Sequence, residues 1–189
     1  NHHVRFNHNT PDPGYAISEV SHFREKTMKR PDCIRHWREL EGPDDATYPD
    51  SPERFSIGAP LGRGLRLNRL GIHHERLPPG RRTSYPHAES DEEEFIYVLE
   101  GYPEVWINGY LWKLEPGDSV GFPAGTGICH TFLNNTEQEV RLLVVGEANK
   151  KYNRIYYPLN PGYAATRQDR WVDHPPQFFG PHDGKPRKK

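Results

Sequence analysis

Three observations predict an all-β protein, a barrel or sandwich of short strands. From Leu65 to Tyr157, apolar and polar residues alternate in short runs, the period of a half-buried strand. Turn residues separate the runs, and Asn108–Gly109 between EVWI and YLWK favours a two-residue type I′ hairpin. With 17 glycines, 19 prolines and only 33% hydrophobic residues, long helices are a poor fit.

Residues 1–60 are rich in Pro and Asp and lack sustained periodicity. They form an N-terminal extension, expected to pack on the barrel because Tyr15, Phe23, Trp37 and Tyr48 give it something to bury. Within it Ser18–Lys29 is a candidate short helix with Val20 and Phe23 on one side. Arg35–Leu40 is a candidate turn or two, setting Trp37 and Leu40 on the body. The barrel proper is expected over 61–157, beginning with the alternating run LRLNRLGIHHERL, Leu65 to Leu77.

The next strand is EFIYVLEG, Glu94 to Gly101. Its period of two puts Glu94, Ile96 and Val98 on one face and Phe95, Tyr97 and Leu99 on the other. Both faces are largely apolar, so this strand is expected to lie between the barrel interior and an outer covering layer. After the hairpin, Glu115–Asp118 is a turn and SVGFP a short strand. Ile128 to Asn135 is a strand with Ile128, His130, Phe132 and Asn134 on one face. Val140–Glu147 is another, and Asn153–Tyr157 one more. Residues 158–189 form an irregular C-terminal extension, in which Trp171, Phe178 and Phe179 argue for packing on the barrel, where edge strands need covering.

Basic and acidic residues nearly cancel, 25 against 26, giving a formal charge of −1 and no general argument for a nucleic acid or membrane partner. No apolar run is long enough to span a bilayer. Cys33 and Cys129 make neither a disulfide framework nor a cysteine-based zinc site, which fits a reducing, cytoplasmic setting.

Residues able to hold a metal fall in two islands, PGRRTSYPHAESDEEEFIYVLEG and PGDSVGFPAGTGICHTFLNN. His87 and Glu89, two apart, point to one side of a strand; Glu94 shares a face with Ile96, and His130 with Phe132. If these strands line one barrel, two imidazoles and one or two carboxylates converge inside it. Two His and one carboxylate with open positions is the arrangement of non-haem iron oxygenases. Ile96 and Phe132 share a face with the ligands and are placed in a substrate pocket. Arg81 and Arg82 precede the first ligand, and Arg82 is a candidate for a substrate carboxylate. At His73–His74 only one ring can face inward, in a structural or pocket-lining role. Cys129 reads as a buried small hydrophobe, and Asn134 as a brace for a turn or a ligand.

The two islands resemble the motifs of the cupin superfamily, G-x5-H-x-H-x3,4-E-x6-G and G-x5-P-x-G-x2-H-x3-N. Gly80 precedes His87, Glu94 matches the motif glutamate, and Gly101 follows at the required interval. Gly117, Pro123, Gly125, His130 and Asn134 match the second motif. The resemblance covers roughly residues 65–150. It implies a double-stranded β-helix, a jelly-roll barrel, with a metal held at His87, Glu94 and His130, and a homodimer. Two departures stand out: Glu89 replaces the second motif histidine, and four residues, Thr126 to Cys129, separate Gly125 from His130 where the motif has two. Glu89 is either a fourth ligand or a general base. A carboxylate there makes the site harder and leaves one iron, manganese, zinc or nickel ion per chain as the expected cofactor.

The resulting expectation is a metal-dependent cupin enzyme acting on a small organic molecule, leaning to dioxygenase or other oxidoreductase chemistry. The alternatives are a cupin isomerase or lyase, or a non-catalytic small-molecule-binding or sensory barrel.

Overall fold

A computed structural model of the protein describes residues 29–187. The candidate helix Ser18–Lys29, with Val20 and Phe23, lies outside the described residues except for its last position. The first described element is a single 3₁₀ turn, Trp37–Glu39, capped by His36, whose Nδ1 accepts from the Arg38 amide. Trp37 sits where the sequence puts it, stacked on His74 with ring centroids 4.3 Å apart.

The strands are β1 (Ile57–Ala59), β2 (Leu70–Leu77), β3 (Ala88–Glu89), β4 (Glu94–Glu100), β5 (Glu104–Ile107), β6 (Tyr110–Lys113), β7 (Ser119–Phe122), β8 (His130–Leu133), β9 (Val140–Glu147) and β10 (Ile155–Tyr156). Two short helices, α1 (Leu61–Gly64) and α2 (Pro161–Ala165), flank them. All named strand pairs are antiparallel. One sheet runs β1-β2-β9-β4-β7; the smaller ones are β6-β5-β8 and β10-β3. The chain from Gly80 to Glu89 runs alongside β8, bridging Arg82 to Leu133 and His87 to His130. That run joins the two smaller sheets into a second layer, and the result is an all-β jelly roll of two antiparallel layers.

Side chains of both layers meet between them. Leu77, Ile96, Val98, Phe122, Val140 and Leu142 come from the five-stranded sheet, and Val105 and Phe132 from the second layer. The Asn108–Gly109 hairpin is type I′ in its defining feature, with φ of +45° and +89° at the two turn residues. Asn134 braces a turn: its amide donates to the Leu77 and Gln138 carbonyls, and its oxygen accepts from Thr136.

The strand expected from Leu65 begins at Leu70, and a short strand, β1, precedes it within the expected N-terminal extension. LGRG forms α1, and Arg66 adopts φ +59°, which no strand permits. A second correction concerns β4. Its inner face is buried as expected, but Phe95, Tyr97 and Leu99 are 43%, 37% and 38% exposed, so no described segment covers them. The C-terminal extension lies instead on the second layer. There Trp171 packs with Ala88, Trp106, Cys129 and Leu133, and the Trp106 indole donates to the His182 carbonyl. Of the two terminal phenylalanines, Phe179 meets Trp106, whereas Phe178 is 94% exposed. Cys33 is exposed and Cys129 buried, and both are free thiols. No helix among the described residues is long and apolar enough to cross a membrane.

Candidate metal centre

Three of the four expected ligands meet. Glu94 opens β4 and His130 opens β8, while His87 lies on the run leading into β3. His87 and His130 exchange both backbone hydrogen bonds, 3.2 and 2.9 Å, so their side chains leave the sheet from directly opposed positions. The donor atoms of His87, Glu94 and His130 lie within 4.8 Å of one another. His130 Nε2 is 2.6 Å from Glu94 Oε2, and Phe122, the β7 partner of Glu94, stacks on the His130 ring at 3.5 Å.

The donor set fits a divalent transition metal. His87 Nδ1 is 2.8 Å from the Tyr85 carbonyl, which can only accept, so the proton sits on Nδ1 and Nε2 keeps its lone pair for a ligand. Burial, and then the charge of His130, hold the His87 ring below its ordinary range, favouring that neutral form. Burial alone would raise the Glu94 carboxyl. The hydrogen bond and charge from His130, with His87 and His73 behind them, outweigh it and keep Glu94 anionic.

Glu89 lies outside this group. Its backbone pairs with Ile155 and its carbonyl accepts from Gly125, while Glu89 Oε2 is buried with no N–H or hydroxyl donor. Burial, then the charge of Glu89 and a hydrogen bond to it, push the Glu92 carboxyl up to about 8. Room for Glu92 comes from Gly146, where a Cβ would collide with Glu92 Oε1. Glu89, Glu92, Glu94 and His130 thus line one small crevice.

Behind these three side chains a cavity of about 80 Å³ runs into the barrel, lined by His87, Glu94 and His130 and by Glu75, Thr83, Ser84, Ile96, Phe132 and Val144. Ile96 and Phe132 thus share its wall with the candidate ligands. Arg82 does not open onto it. Its guanidinium is 2% exposed, paired through Nε and Nη2 with Glu53 at 2.7 Å and donating from Nη1 to the Gly184 carbonyl at 2.8 Å.

Glu75 is the residue the sequence reading missed. It accepts a 2.6 Å hydrogen bond from Ser56, and burial pushes its carboxyl up to about 7. The available signal was parity: Glu75 is two residues before Leu77, which is fully buried in the core. By the same parity His73 faces inward, while His74 faces out and is covered by Trp37.

Residues 73–146 match the family described as Cupin domain. No curated protein matches the chain. Among solved structures, it is similar to a putative sugar phosphate isomerase from Acidithiobacillus ferrooxidans, at 29% identity over 55% of this chain and 65% of that one, TM-score 0.52. It is similar to a sugar phosphate isomerase of the cupin superfamily from Silicibacter pomeroyi, at 31% identity over 54% of this chain and 64% of that one, TM-score 0.52. The alignment spans a little under two thirds of each of these two proteins. A polyketide cyclase from Streptomyces resistomycificus, 22% identical over 75% of this chain and 95% of that one with TM-score 0.54, shares the fold.

Proposed function

Residues 73–146 are a cupin domain, and from that premise we propose that the protein is a metal-dependent enzyme acting on a small organic molecule. The observation that carries the reading is the convergence of His87, Glu94 and His130 at the end of a cavity holding a second, protonatable carboxyl, Glu75. A divalent metal bound by these three would supply Lewis-acid polarisation of a substrate oxygen. The chain's own residues do the rest. Glu75 holds or takes a proton near neutral pH, the range a general acid–base needs. Ile96, Phe132 and Val144 form the apolar part of the cavity wall, and Thr83 and Ser84 offer hydroxyls. Metal beside an acid–base suits an isomerase that moves a proton between neighbouring carbons, the class to which two structural relatives are ascribed. Glu89, which lines one crevice with Glu92 and Glu94, would tune the charge at the metal or serve as a further ligand or base.

A second reading, an oxygenase, is favoured by the ligand set itself, two imidazoles and one carboxylate. In either case we propose a homodimer, supported by the apolar strip Phe95, Tyr97 and Leu99 on β4.

The test is elemental analysis of protein purified without added metal, beside His130→Ala. About one equivalent of iron, manganese, nickel or zinc per chain, absent from the variant, is the expected result. No metal in the wild type even after reconstitution would sink the reading. Metal-loaded protein is then offered hydroxy-aldehydes and ketoses in deuterated water. Deuterium incorporation that Glu75→Gln abolishes, with metal retained, selects the isomerase, and oxygen uptake by the iron form selects the oxygenase.

A further inference from the structure

A second cavity, about 590 Å³, opens at the end of β2 nearest the metal ligands, lined by Arg63, Arg66, Asn68, Gly71, His73 and Asn149 among others. It holds no carboxylate. Several arginines elsewhere in the described chain are committed to acids: Arg76 to Glu139, Arg81 to Asp44, Arg141 to Glu100, Arg154 to Asp173 and Arg167 to Asp169. The guanidinium groups of Arg63 and Arg66 have no hydrogen-bond, ion-pair or ring partner among the described residues. Two positive charges are therefore held on one cavity wall without compensation, in a chain whose formal charge is −1.

We propose that this cleft binds the oxyanion end, a phosphate ester or carboxylate, of a small molecule whose other end reaches His87, Glu94 and His130. Guanidinium forks match such oxygens in shape and charge. The loop is fixed by the Asn149 amide, which donates to the Asn68 carbonyl at 2.8 Å, and by the Ala148 amide, which donates to Arg69 at 2.9 Å. His73 links cleft and ligands. It lies on the interior face of β2, where burial and then Arg63 lower its proton affinity while Glu94 opposes them. Gly71 and Glu94 both pair with Gly146, so the cleft floor and the metal ligand are two strand spacings apart. That separation, about 10 Å, is the span of a short phosphorylated or carboxylated chain. At the floor, Gly71 presents no side chain to block the way; a Cβ there would meet only the Gly146 carbonyl, its oxygen at 3.6 Å.

The proposal rests on the enzyme reading only for the far end of the ligand, and the experiment separates the two. Inorganic phosphate and malonate are titrated at low salt into wild type, Arg63→Ala/Arg66→Gln, Arg170→Ala and His130→Ala. The first two positions are exposed, and thermal melts confirm that the double variant is folded. At least one anion binds the wild type, the double variant binds it about tenfold or more weakly, and the other two variants bind as wild type. The preferred anion tells phosphate from carboxylate. Equal affinity in the double variant, or no binding of either anion to the wild type, overturns the proposal. Manganese-loaded protein gives the second readout: the phosphorus resonance broadens if the anion sits about 10 Å from the ligands, and an unbroadened signal from bound phosphate refutes the link. Wild type that takes up no metal even after reconstitution, yet binds phosphate, would count against the enzyme reading alone.

Discussion

The two layers of the barrel contribute differently to the site and are held in different ways. The second layer supplies both imidazoles, His87 and His130, and its outer side is pinned by the C-terminal extension through Trp106, Trp171, Arg82 and the carbonyls of His182 and Gly184. The five-stranded sheet supplies the carboxylates, Glu94 and Glu75, and leaves Phe95, Tyr97 and Leu99 exposed. Ligand geometry on the pinned side is maintained by the chain's own tail. On the other side, the segment around Trp37 and Glu41 holds the outer face of β2 through His74 and Arg76, and the strip on β4 stays exposed.

The difference can be broken most severely at Trp106, fully buried with its indole bonded to His182. Trp106→Ala is expected to cost about 3–5 kcal/mol in urea unfolding. A loss below about 1 kcal/mol would show that the tail does not stabilise the layer. Next comes Arg82→Met, which leaves Glu53 and the Gly184 carbonyl without their donor. The expected loss is about 2–3 kcal/mol, less than for a fully buried pair because Glu53 is partly solvated, with metal content retained.

On the carboxylate side the sign reverses. The Glu75 carboxyl stands at about 7 in the fold against an ordinary 4.5. Below 4.5 both states keep the proton. Between 4.5 and about 7 the unfolded chain releases it while the folded one retains it, so stability falls as pH rises, and above 7 the penalty is constant. Glu75→Gln should therefore stabilise the protein at pH 8 by about 1 kcal/mol, some 2–4 °C in Tm. It should also flatten the decline between 4.5 and 7; an unchanged pH profile would remove Glu75 as its source. The smallest effect is expected at the bare face, where Tyr97→Ser should alter monomer stability by no more than about 0.5 kcal/mol. Light scattering is the sharper readout there. If the variant is monomeric and the wild type dimeric, β4 is the interface, and a dimer in both refutes it.

Features carried by local chemistry were legible in the sequence. Asn108–Gly109 can take the positive φ that its hairpin needs, and the period of two in EFIYVLEG correctly turned Glu94 and Ile96 inward. The three candidate ligands could be picked out because strand parity and motif spacing agree. What escaped depends on contacts distant in sequence. Whether the outer face of β4 is covered is decided by where the tail goes, and nothing in β4 encodes that. Glu75 reads as an ordinary solvent-facing glutamate in HHERL, and only the Ser56 hydroxyl and the opposing layer make it a cavity group. Arg82 looked available because its partners, Glu53 and Gly184, are 29 and 102 residues away. That no described acid pairs with Arg63 or Arg66 is likewise visible only in the fold.

The missing side chain at Gly146 has an evolutionary consequence. Because Glu92 rests its carboxyl where a Cβ would be, a single codon change to alanine would evict that acid from beside Glu89. The obstructing atom is the far end of a flexible side chain, so the backbone need not move. A lineage could thus alter the charge beside His87, Glu94 and His130 by one methyl group, without exchanging any of the three or disturbing the barrel.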